Sequence, residues 1–140
     1  MVEKRLEALK ELGGVDEKKK VIKRGEELKS MIETAVEAAT EKKCHRVVCI
    51  DVKGLCSYTD SILIVSGESD RQVQAIGERI DRAMRKRGWK PLGLEGGRRQ
   101  GGWMLMDYGD IVVHVFREDL REFYDIEGLW SDASIRRIKG

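Results

Sequence analysis

The stretch Gly101-Gly102-Trp103-Met104-Leu105-Met106-Asp107-Tyr108-Gly109-Asp110-Ile111-Val112-Val113-His114-Val115-Phe116 decides how this chain folds. Two apolar runs meet at Asp107-Tyr108-Gly109-Asp110, whose Asp and Gly are turn formers, so the segment reads as a buried β-hairpin. Two of the three tryptophans and two of the three tyrosines lie in or just beyond it, at Trp103, Tyr108, Tyr124 and Trp130. Rings concentrated in this way build a core or present a contact surface.

Working outward, Leu28, Met31, Ile32, Ala35, Val36 and Ala39 follow the spacing of an amphipathic helix, with ordered structure beginning near Glu26. Val47 to Val52 and Ile62 to Val65 are short β-branched runs joined by a turn at Lys53-Gly54-Leu55-Cys56-Ser57. The unbroken apolarity of the second run predicts cover on both faces. Ser69 and Gln72 have capping-box spacing and open a helix whose buried stripe is Val73, Ile76, Ile80 and Met84. Basic residues gather toward its end, where they complement the helix dipole, and Gly88 terminates it. Trp89 to Glu95 reads as a short strand that Pro91 pushes to a sheet edge. Gly96 to Gly102 reads as a flexible loop, and a helix follows the hairpin from about Glu118 to Tyr124. The order helix, two strands, helix, three strands, helix implies an α/β fold: a mixed, about five-stranded sheet packed by helices.

The 140 residues suit one domain, here residues 26–133, preceded by a charged extension (1–25) and followed by a short basic tail (134–140). Val2, Leu6 and Leu9 would line a short helix in the extension, which has little to bury and is expected to be loosely docked or mobile. It holds eight basic against five acidic residues, whereas the whole chain carries only +2, too little for a dedicated DNA binder. Cys44, Cys49 and Cys56 lack metal-ligand spacing and are odd in number, so neither a metal site nor a disulfide framework is expected. Cys49 reads as a core residue, in a reducing compartment. No run reaches the length of a membrane span and no signal core opens the chain, so a cytoplasmic protein is expected.

Catalytic machinery is not assembled by these residues. The Gly96–Gly102 loop matches neither phosphate-loop nor dinucleotide fingerprint. Glu68 and Asp70 crowd the amino end of the helix after Ser66-Gly67, a poor setting for an anion. A nucleotidyl transferase would place paired carboxylates on the next strand, yet Trp89–Glu95 carries one acid. Asp107 and Asp110 flank a turn, where Asp is ordinary. His114 shares a strand face with Val112 and Phe116 and reads as a hydrogen-bonded core histidine. No cofactor is expected.

Asp51-Val52 with Thr59-Asp60, Ser66-Gly67-Glu68-Ser69-Asp70-Arg71-Gln72-Val73, Leu94-Glu95-Gly96, Trp103 through Asp107-Tyr108-Gly109-Asp110 to Phe116, and Arg121-Glu122-Phe123-Tyr124 with Leu129-Trp130 together resemble the ribosomal silencing factor family, also called Iojap or RsfS. The likeness spans about Glu27 to Ala133. It departs at Ser61-Ile62, where relatives often carry an aromatic pair, a change expected to alter local packing. The resemblance implies a nucleotidyltransferase-like fold without its catalytic carboxylates, and binding rather than enzymatic activity. It further implies docking on the large ribosomal subunit through the fourteenth protein of the large-subunit series, which blocks joining of the small subunit when nutrients are scarce. Trp103, Met104, Leu105, Asp107, Tyr108, Asp110, Tyr124 and Trp130 are the expected partner-binding residues. A nearby ribosomal RNA contact and a homodimer, as some members form, are further partner expectations. Two other readings stand beside this one: a nucleotide-binding enzyme of related fold, and an RNA binder using the Lys-rich extension with Arg98-Arg99.

Overall fold

The structure, a computed structural model, describes residues 14–97 and 102–139, with side chains described from residue 25 to residue 138 of these. The expected hairpin is β4 (Trp103–Asp107) and β5 (Ile111–Arg117), paired antiparallel with Trp103 opposite Phe116, Leu105 opposite His114 and Asp107 opposite Val112. The Tyr108 N–H bonds to the Ile111 carbonyl, and Gly109 takes φ +88°, a left-handed conformation that glycine adopts without strain.

Before the hairpin come α1 (Gly14–Glu41), β1 (His45–Asp51), β2 (Ser61–Gly67), α2 (Asp70–Lys86) and β3 (Gly93–Gly96). After it come α3 (Glu118–Tyr124), the one-turn α4 (Ile126–Leu129) and β6 (Ser134–Lys139). The strands form one six-stranded sheet in the order β3-β4-β5-β2-β1-β6. Only β2 and β5 run parallel; the other pairs are antiparallel, giving the mixed sheet expected. The third strand is shorter than the expected Trp89–Glu95: Pro91 lies before it, and β3 itself, Gly93–Gly96, is an edge strand of the sheet.

The sheet has one strand more than the expected five. Ser134–Lys139, assigned by sequence to a basic tail, pairs along β1 from Asp51 to Val47. Its charges hide it from periodicity, but β1 would otherwise end the sheet with unpaired backbone groups. The first helix also starts earlier than Glu26: its backbone is helical from Gly14, through part of the expected extension. No proline interrupts that segment, so a helix anchored by its later turns propagates back into it. The Lys-rich extension up to Gly13 and Arg98-Arg99 lie outside the described residues, as do the side chains of Lys18, Lys19 and Lys20.

Helices α1 and α2 cover one face of the sheet. There Met31, Ala35 and Ala39 of α1 and Val73, Ile76, Ile80 and Met84 of α2 meet Val47, Cys49, Leu63, Val65, Met104, Met106, Val113 and Val115. Every residue of β2 is buried, as its apolar run implied. The Ser69 hydroxyl accepts from the Gln72 N–H at 3.1 Å, while Gln72 Oε1 accepts from the Glu68 N–H at 2.5 Å. The same Gln72 amide donates to the carbonyls of Lys42 and Lys43, tying the start of α2 to the end of α1. Among the described residues, no helix is long and apolar enough to cross a membrane.

Candidate functional site

The opposite face of the sheet is only partly covered. Residues 118–133 fold back over this face, where Leu120, Ile126, Trp130 and Ala133 pack against Val48, Ile50, Val52, Ile62, Ile64 and Phe116. Trp103 and Leu105, on the β4 side of this face, remain half-buried. Strand alternation puts Trp103, Leu105 and Asp107 on this face and Met104 and Met106 on the helix-covered one.

A row of rings crosses the open face. Trp103 stacks near His114 (centroids 6.4 Å apart) and Phe116 (6.3 Å), His114 lies 5.6 Å from Phe116, and Phe116 lies 6.0 Å from Tyr124. Phe123 meets Tyr124 edge-on at 5.3 Å. Such contacts each contribute about 1 kcal/mol beyond the area they bury. The outer end of the row is unprotected, with Tyr124 55 % and Phe123 79 % exposed.

His114 is an interior member of that row. The Trp103 indole N–H donates to its Nδ1 at 3.4 Å, so the imidazole carries its proton on Nε2. Burial disfavours the cation and pushes its pKa down to about 4. It is a packed, neutral histidine near pH 7, as its strand position implied.

Arg121 holds the outer end in place. Only 2 % exposed, it donates to the Ser66 hydroxyl at 2.6 Å, to Glu127 Oε1 at 2.8 Å and to the Arg46 carbonyl. Arg46 sits at φ +44° in a β1 bulge, which turns that carbonyl toward α3. One guanidinium thereby joins β1, β2, α3 and α4. On the surface, Arg117 bridges Asp119 and Asp70 at 2.6 Å each, and its hydrogen bonds hold the Asp119 carboxyl below the usual range.

The eight residues expected to bind a partner divide between the two faces. Trp103, Leu105 and Tyr124 lie on the face away from α1 and α2, and Trp130 packs on the same face over β1 and β2. Met104 and Tyr108 do not: both belong to the helix-covered core, at 4 % and 5 % exposure. Met104 alternates with Trp103, and its Sδ packs so close to Gly77 of α2 that a Cβ there would clash with it. Tyr108 leaves the strand toward α2, where its hydroxyl donates to Asp81 Oδ1 at 2.8 Å. Burial and that bond raise the tyrosine pKa far above its ordinary value. Asp107 Oδ1 accepts the Gly109 N–H at 2.7 Å, a turn-forming role, and the Asp110 carbonyl accepts from Asp60 and Ser61. Phe116, Phe123 and Arg121 were not among the expected site residues, although Phe116 follows from alternation with His114. Among the described residues, no group of three or more His, Cys, Asp or Glu is placed to hold a metal ion.

Comparison with known proteins agrees with this architecture. Residues 25–139 match the family model described as "Ribosomal silencing factor during starvation". The chain is 39 % identical over 110 residues to the ribosomal silencing factor RsfS of Halalkalibacterium halodurans, covering 79 % of this chain and 93 % of that one. To the protein of the same name from Bacillus subtilis it is 37 % identical over 107 residues, covering 76 % and 90 %. A crystal structure of a Chromobacterium violaceum protein superposes with a TM-score of 0.71 at 31 % identity, covering 81 % of this chain and 93 % of that one. The match reaches through β6, so the last strand lies within the shared unit. With its mixed sheet and the match over residues 25–139, the chain belongs to the ribosomal silencing factor family.

Proposed function

We infer that this protein represses translation in the cytoplasm by docking on the large ribosomal subunit through the fourteenth protein of the large-subunit series. Its bulk then excludes the small subunit and slows protein synthesis under nutrient limitation. Family membership supports the ribosomal setting, and one structural observation carries the binding mode: the ring row Trp103–His114–Phe116–Tyr124 ends in exposed Tyr124 and Phe123. Aromatic anchors of this kind, backed by a rigid sheet, contribute about 2 kcal/mol or more each at an interface. The activity is binding, not catalysis. His114 is buried and neutral within the row, which suits a packing role better than that of a general base.

Purified large and small subunits mixed with the protein and resolved on a sucrose gradient test this reading. Fewer joined particles, with the protein co-sedimenting on the large subunit, are expected. Unimpaired joining at saturating protein would remove it. A chain beginning at Glu26 is expected to retain docking, which separates this reading from RNA binding through the extension.

A further inference from the structure

On the far side of the sheet from the ring row, α1 and α2 lie side by side with a groove of about 570 Å³ between them. Small side chains, Ala38 and Ala83, leave it open; Glu37 and Glu41 line it from α1, Arg79, Arg82 and Lys86 from α2, and Arg87 from the C-cap position of α2. Arg79 is neutralised by Glu41 at 2.6 Å, and beside the groove Arg85 is held by Asp81 at 2.8 Å. Arg82, Lys86 and Arg87 have no carboxylate within ion-pair distance among the described residues. Arg87 instead lies over the Trp89 ring, 5.1 Å from its centroid, which orients the guanidinium without neutralising it.

The dipole of α2 accounts for cations in its last turn only, and Arg79 and Arg82 precede that turn. Arg82 and Lys86 stand one turn apart on one ridge, about 6 Å along the axis, near the separation of neighbouring phosphates on a strand. Among the described residues, those lining the groove include neither an aromatic ring for a base to stack on nor a strand edge for a peptide. Charge without those features suits a phosphate backbone and gives no sequence readout. We propose that the α1–α2 groove binds the phosphodiester backbone of RNA through Arg82, Lys86 and Arg87. Because the groove and the ring row lie on opposite faces, this contact does not depend on what occupies the row.

The test is fluorescence anisotropy of a fluorescein-labelled RNA hairpin with the full chain across a potassium chloride series. Arg82→Gln/Lys86→Gln is compared with Lys53→Gln/Arg137→Gln, which removes equal charge from exposed positions outside the groove. The groove variant is expected to bind about tenfold more weakly or worse near 0.1 M salt, with a log–log salt slope shallower by about 1 to 2. The control is expected within about twofold of the unsubstituted chain, since nonspecific net charge is a weak, screened contribution. Equal weakening in both variants, or no RNA binding by the unsubstituted chain, would overturn the proposal. Displacement of the RNA by polyglutamate at equal charge would instead assign the groove to acidic protein, and also overturn it. Melting curves accompany each variant. Should the double substitution lower the melting temperature, Arg82→Gln alone is read, and unchanged affinity in that variant overturns the proposal.

Discussion

The Trp103 indole N–H donates to Nδ1 of His114 at 3.4 Å, across the register in which Trp103 faces Phe116. This bond selects the neutral tautomer of a buried imidazole and stands the indole beside it in the ring row. The protonation state of one histidine is thereby coupled to the side chain at the half-buried end of the candidate docking face.

His114 makes stability depend on pH in a defined direction. Its folded pKa, about 4, is below the ordinary value of 6.5, so between the two the unfolded chain binds more protons. Its contribution is complete above pH 6.5 and is lost as pH falls from there through 4, by about 3 kcal/mol in total. Urea titrations across this window should show a steeper loss in the native chain than in His114→Asn, which keeps an acceptor near Trp103. Parallel pH profiles would refute the assignment.

Tyr124→Ala removes an exposed ring that rests on Phe116. We expect large-subunit binding to weaken about tenfold or more, with the melting temperature changed by no more than about 3 °C, since little burial is lost. Co-sedimentation and thermal denaturation read the two effects separately. Undiminished binding would take Tyr124 out of the interface.

Tyr108→Phe should do the reverse. Losing the hydroxyl bond to Asp81 within the core costs about 1 to 2 kcal/mol, while docking by the folded fraction stays as before. Denaturant midpoints and subunit binding at equal folded concentration check this. A variant of native stability that fails to dock would put Tyr108 back on the contact surface.

Arg121→Lys keeps the charge but loses the planar fork that reaches Ser66, Glu127 and the Arg46 carbonyl together. A loss of about 2 to 3 kcal/mol is expected, because buried acceptors are left with fewer donors. Amide exchange should rise first in α3 and α4, the elements the guanidinium ties down. Unaltered protection there would show that Arg121 is not their tether.

Much of the fold was legible because it is local. The Ser69–Gln72 cap, the buried stripe of α2 and the turn at Asp107–Asp110 each follow from a few neighbouring residues. β6 was missed because Ser-Ile-Arg-Arg-Ile-Lys lacks an alternating apolar pattern; the backbone of β1 recruits it. Alternation alone could have separated Met104 from Trp103 and Leu105, since strand neighbours point to opposite faces.

The chain by itself determined where strands, helices and turns fall, and it carried the family motifs, since these depend on side-chain spacing and backbone preference. The tertiary structure decided which rings meet solvent. Tyr108 and Tyr124 are the same residue type near the same hairpin, yet one is enclosed beside α2 and the other lies on the open face. That outcome depends on which sheet face the helices cover, a matter of long-range packing. The burial of Arg121 and the alignment of Arg82 and Lys86 along a groove have the same origin: elements distant in sequence create the environment that gives each charge its role.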